Sequence, residues 1–172
     1  MFYTLFAFLW LVVVFAMARP LFMLYTGAVG QGAAASDFLD VVLHGLPLDL
    51  CVAAAVCLPL WFCSLFVLCC RVGQRGRVLP LKWQRCGASV LRVYVVTVAV
   101  VVALVLVSDA ALYPFWDIKL DATVLAYLDS PRGAVNSVSW LFCTVYLAAV
   151  LLVALVVAFP LLWGIRRCSR LS

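Results

Sequence analysis

A chain of 172 residues that is 69% hydrophobic and 11% charged has too little polar surface to coat a soluble domain of that size. Its mean hydropathy of +1.23 identifies lipid as the surrounding solvent. The net charge of +5 is not a nucleic-acid footprint, because no basic run is interleaved with aromatics as a nucleic-acid platform requires.

A hydrocarbon core of about 30 Å takes about 20 apolar residues to cross as a helix. Four runs meet that length, at about 2–25, 48–70, 90–108 and 138–165. They are continuous rather than alternating, which selects helices over barrel strands. The first run lacks a basic leader and a small-x-small cleavage site ahead of Arg19, so it reads as a retained helix. Arg19-Pro20 interrupts it near the far leaflet, where an arginine either snorkels to headgroups or pairs with an acid on a neighbouring helix. Residues 26–35 are rich in Gly and Ala and read as a loop. Ser36 is placed to cap a short interfacial helix over Asp37–His44, with Phe38, Leu39, Val41, Val42 and Leu43 as its apolar side. Gly45 and Pro47 then break that helix and start the second span, with Asp49 in its first turn and Pro59 as a mid-span kink. A polar loop over 71–89 follows, punctuated by Gly73, Gly76 and Pro80. The third span is almost pure Val, Ala and Leu. Residues 109–137 are the densest polar segment, with Asp109, Asp117, Lys119, Asp121, Asp129 and Arg132 beside Tyr113, Phe115, Trp116 and Tyr127. A short helix is expected at 121–128, stopped by Ser130-Pro131. The fourth span ends at Arg166-Arg167.

Charge is segregated along this plan. All seven acids, Asp37, Asp40, Asp49, Asp109, Asp117, Asp121 and Asp129, fall in or beside 26–47 and 109–137. Arg71, Arg75, Arg77, Lys82, Arg85 and Arg92, and then Arg166, Arg167 and Arg170, fall on the opposite side with no acid among them. Positive residues mark the cytoplasmic face, so both termini are expected inside and the acidic segments outside. The expected fold class is an all-α membrane protein, a polytopic bundle of four transmembrane helices with short interfacial helices on its outer side.

The eight cysteines, Cys51, Cys57, Cys63, Cys69, Cys70, Cys86, Cys143 and Cys168, lie within apolar runs or toward the basic side, and none lies in the outer loops. That distribution suits small polarisable packing residues rather than a disulfide framework. No Ser/His/Asp set, outer Cys/His pair, metal-ligand spacing or phosphate-cradling glycine loop is present, so no catalytic residue, metal ligand or cofactor is assigned to this chain. The candidate site is an outer polar network of Arg19, Asp49, Asp109, Asp117, Lys119, Asp121 and Arg132. Charges at the membrane boundary are costly unless paired. Arg19 is expected to pair with Asp49 or Asp109, and Lys119 with Asp117 or Asp121. One reading makes these ion pairs that fix loops to helix ends. Another makes them a site for an anionic phospholipid headgroup, with Arg19, Lys119 and Arg132 facing phosphate, and metal binding by the aspartates is the remaining reading. His44 reads as an interfacial bystander.

Three pieces carry a family resemblance. They are Arg19-Pro-Leu-Phe-Met-Leu-Tyr, then His44-Gly-Leu-Pro-Leu-Asp-Leu, then Asp109-Ala-Ala-Leu-Tyr-Pro-Phe-Trp-Asp-Ile-Lys-Leu-Asp-Ala-Thr-Val-Leu-Ala-Tyr-Leu. Together they resemble the amino-terminal membrane domain of the lipoteichoic-acid-synthase-like phosphoglycerol transferases of the sulfatase/alkaline phosphatase superfamily. The second piece is similar to that family's Gly-Leu-Arg-Phe-Asp pattern, with Pro47 where the family commonly has Arg. In the third, Lys119 stands where Arg is usual, a point charge in place of a planar fork. The resemblance implies an amino-terminal fragment of an extracytoplasmic phosphoglycerol or phosphoethanolamine transferase in the bacterial inner (cytoplasmic) membrane. A catalytic domain carrying a threonine nucleophile and a divalent metal, typically manganese, would follow this segment as its partner. The alternative is a free-standing small polytopic membrane protein serving as an assembly or transporter subunit.

Overall fold

The computed structural model describes residues 2–27, 32, 34–73, 81–116 and 139–170. Those residues form four helices: α1 (Phe2–Tyr25), α2 (Ala35–Gly73), α3 (Leu81–Trp116) and α4 (Trp140–Arg170). Each contains a stretch long and apolar enough to cross a membrane: Phe2–Tyr25, Ala35–Leu65, Ser89–Ala111 and Trp140–Arg167. Opposite ends of consecutive helices meet, as shown by Arg19 against Asp49 and by Ser108 against Tyr146. The chain therefore runs up and down, with α1–α2 and α3–α4 as antiparallel hairpins and α1 also touching both helices of the second hairpin.

Most large apolar side chains face outward, among them Phe62, Leu155 and Phe159. The interior is built from small or slim residues: Ala7 and Leu11 on α1, Ala53 and Cys57 on α2, Val95, Ala99 and Ala103 on α3, Ala154 and Val157 on α4. Lipid tails are as apolar as leucine, so burial of bulk gives no drive for association, and close backbone approach over small residues supplies the packing instead. At Gly164 a methyl group would sit 3.2 Å from the Tyr3 ring, which places the end of α4 tightly on the start of α1.

The helices run further than the sequence reading placed them. The break expected at Gly45–Pro47 is absent, and the separate interfacial helix over Asp37–His44 is instead the first part of α2. Pro47 forfeits the one bond it would donate to Leu43, whereas a break would release a whole turn of carbonyls and amides. Likewise Pro20 lies inside α1. Residues 81–89 and 109–116, expected in loops, are turns of α3, and 71–73 close α2. With 39 residues, α2 is about 58 Å long at 1.5 Å per residue, well beyond the hydrocarbon thickness. The start of α2 is also fixed differently from expectation. Asp37, not Ser36, reaches back, its Oδ2 accepting the Ala34 N–H at 2.9 Å, the half of a capping box that the third helical residue supplies. At the end of α1, Gly27 takes φ +75° and its N–H bonds the Leu24 carbonyl, a left-handed C-terminal stop. The short helix expected at 121–128 lies outside the described residues.

Two internal prolines are matched by donors from neighbouring helices. Pro59 leaves the Ala55 carbonyl without its helical donor and opens that turn. The adjoining Val56 carbonyl accepts Tyr94 Oη from α3 at 2.6 Å. Pro160 does the same to α4, where the Val157 carbonyl, also three residues ahead of the proline, accepts Trp10 Nε1 from α1 at 3.3 Å. Tyr94→Phe keeps the ring and removes only the donor, so it is expected to cost about 1 kcal/mol. Thermal unfolding in detergent checks this. Trp10→Phe, which removes a longer bond, is expected to cost less.

Candidate functional site

The end of the bundle that carries the acids is organised by one arginine. Thr4, Ala7, Leu11 and Arg19 recur at helical spacing on α1, so the face that packs the core continues into a charge near the helix end. On α2 the matching stripe is Gly45, Asp49, Ala53 and Cys57, four residues apart at each step and buried throughout. Arg19 Nη2 donates to Asp49 Oδ1 at 2.7 Å and Nε donates to Oδ2 at 3.0 Å, a planar two-point pair. Nη2 also reaches the Gly45 carbonyl at 3.4 Å. The Asp49 side chain is only 8% exposed and that of Arg19 23%. Such a pair is held out of solvent, and removing one partner strands the other charge.

Gly45 makes the pair possible. A Cβ built on it would collide with Cζ, Nε and Nη1 of Arg19, so the guanidinium lies flat where a side chain would otherwise stand. In sequence Gly45 has the look of a helix breaker, and its true role is to provide a bare patch one turn before Asp49. The i, i+4 spacing of Gly45 and Asp49 was the available signal.

The same end carries further polar and aromatic contacts. Phe22, three residues after Arg19, meets Tyr113 of α3 edge to face at 5.0 Å. Ser108 Oγ and Tyr146 Oη lie 2.6 Å apart across α3 and α4, and Tyr146 stacks on Phe142 one turn away. His44 Nδ1 faces the Asp40 carbonyl one turn back at 2.8 Å, a local contact within α2. None of Tyr113, Tyr146 and Ser108 was singled out from sequence as a bonding partner.

Of the network expected from sequence, the structure brings Arg19 and Asp49 together. Asp109 lies in the last third of α3, at the same end of the bundle. Asp117, Lys119, Asp121 and Arg132, with the expected pairing of Lys119, lie outside the described residues. Arg19 is committed to Asp49 and Gly45, which makes it a join between two helices. Among the described residues no three His, Cys, Asp or Glu side chains are grouped as a metal would require. Compared with protein-family models, curated proteins and solved structures, the chain matches none.

Gly45→Ala is expected to destabilise the protein by about 1–3 kcal/mol through overpacking against the guanidinium. In an Arg19→Ala background the same change should be neutral or stabilising, because alanine is the better helix former. Unfolding of the two single variants and the double variant in detergent reads the reversal. Arg19→Ala alone should cost about 3–5 kcal/mol by leaving Asp49 buried and unpaired.

Proposed function

We propose that this chain is the membrane-anchoring domain of an extracytoplasmic phosphoglycerol or phosphoethanolamine transferase of the sulfatase-like superfamily. In this reading both termini are cytoplasmic and the acidic end faces outward. The supporting observation is that residues from all three pieces carrying the resemblance meet at one end of the bundle. Arg19 from the first pairs with Asp49 and lies over Gly45 from the second. Phe22 from the first meets Tyr113 from the third. Segments far apart in sequence thereby build one surface.

The role follows from what that surface does. The pair fixes the register of α1 against α2, and about four turns of α2 precede Asp49 on the outward side. Those turns and the end of α3 supply a floor on which a following catalytic domain is seated beside the headgroups of its lipid donor. Asp109, Asp117, Lys119, Asp121 and Arg132 are the candidates for contact with that domain or with an anionic headgroup. The manganese implied by the resemblance belongs to the catalytic domain, and no residue of the present chain is assigned to it.

Reading the gene onward from the Ser172 codon tests the proposal directly. A further apolar run and a sulfatase-like domain are expected. A stop codon followed by an unrelated gene overturns the reading in favour of a free-standing assembly or transporter subunit. The purified 172-residue chain should show no phosphoglycerol transfer, and detectable transfer would sink the anchoring role. Fusion at Ser172 should give a fluorescent cytoplasmic reporter and an inactive periplasmic phosphatase, the reverse of the result for an inverted bundle.

A further inference from the structure

The opposite end of the bundle has a chemistry of its own. Nine of the twelve Lys and Arg fall in two stretches of sequence, six from Arg71 to Arg92 and three from Arg166 on, with no Asp or Glu in either, and Arg92, Arg166 and Arg167 among them are exposed at this end. The topology gathers those of α3 and α4, since these two helices pack antiparallel and bring the start of α3 beside the end of α4. For Arg166, Arg167 and Arg170 the negative end of the α4 dipole is one source of stabilisation. It does not serve Lys82 and Arg85, which occupy the opening turns of α3, where no acid balances the positive end of that helix. Neither stretch of sequence contains an Asp or Glu to balance that charge.

Depth in the membrane identifies the complement. Arg92 is exposed and lies just inside the apolar stretch Ser89–Ala111, within snorkelling reach of the headgroups. The register that sets Ser108 against Tyr146 puts Arg92 level with the turn of α4 that holds Trp163. Trp163 is half exposed, and the Arg167 guanidinium sits 5.0 Å from its ring centroid. A tryptophan at the end of an apolar span anchors at headgroup depth, and the stacked arginine is held there with it.

We propose that this end is a binding surface for anionic phospholipids, with Arg92 and Arg167 contacting the lipid phosphate and Trp163 fixing Arg167 at headgroup depth. The proposal does not rest on the transferase reading and concerns the opposite end of the bundle. Its occupant is a lipid of the leaflet facing this end, because the arginines lie at the rim of the apolar spans.

The test uses the purified full chain in neutral detergent micelles, titrated with dioleoylphosphatidic acid or dioleoylphosphatidylcholine, with bound lipid counted by mass spectrometry. Phosphatidic acid is the probe because it has the charge without a glycerol headgroup. Wild type should bind it in preference to the zwitterionic lipid. At about fivefold per arginine, Arg92→Gln with Arg167→Gln should lose roughly twenty-fivefold in apparent affinity. Arg92→Lys with Arg167→Lys should retain most of it. Equal binding of the two lipids by wild type overturns the proposal. So does a glutamine pair that binds like wild type. If the glutamine pair does not fold, wild type decides the matter: raising salt from about 50 to about 500 mM should weaken phosphatidic acid binding alone. Binding insensitive to salt would refute an electrostatic surface.

Discussion

Inside hydrocarbon, a charge or a backbone carbonyl that finds no partner in the protein finds none at all. The polar contacts that cross between helices in this bundle answer that constraint. Arg19 and Asp49 are charges at the rim of apolar helices and meet each other in two-point geometry. Tyr94 and Trp10 supply donors to carbonyls in the turns that Pro59 and Pro160 interrupt. Ser108 and Tyr146 pair their hydroxyls across the second hairpin. In water each of these groups would have a solvent molecule as an alternative. Here the alternatives are helix arrangements that leave the group bare, so a few bonds of ordinary strength exclude many competing packings.

The same constraint explains what could be read from the residues. Four spans were legible because continuous apolar runs of that length have no other stable state in lipid. Their ends were not, because glycine and proline were weighed as they act in water, where a broken helix is solvated. Gly45 and Pro47 therefore looked like boundaries and are instead helical. The partners of Arg19 were narrowed to Asp49 and Asp109 by the scarcity of charge near the span ends, and the structure selects Asp49. Gly45 looks like a breaker apart from its i, i+4 spacing to Asp49, since its function depends on a guanidinium from another helix. Tyr94 and Trp10 left no signal, because a lone aromatic in an apolar run looks the same whether it faces lipid or a proline turn.

The two ends use charge in opposite ways. At the acidic end, charge is paired, desolvated and aligned by a bare glycine, which gives a fixed geometry. At the basic end Arg92, Arg166 and Arg167 are exposed on sequence stretches without an acid, and attraction to a diffuse anionic surface needs no two-point geometry. The small-residue core between them, from Ala7 and Ala53 to Ala99 and Ala154, brings the backbones close but distinguishes poorly between neighbouring registers. Alanine against alanine packs much the same after a slip of one turn.

That ambiguity is what the Arg19–Asp49 pair resolves. Sliding α1 by one turn against α2 would set Arg19 level with Ala53 or with Gly45 itself. Both charges would then be left beside apolar neighbours, and the bare patch would lie under the wrong residue. The cost of two unpaired charges at the membrane rim exceeds any packing difference between alanine contacts. A single polar residue buried in a coiled coil sets its register by the same reasoning. Here the specification is sharper, because it needs three residues to agree: a fork on one helix, and a carboxylate and an absent side chain one turn apart on the other. A slip satisfies none of the three, so the register of the first hairpin is set at its acidic end and carried by helix stiffness to the aromatic and proline contacts below.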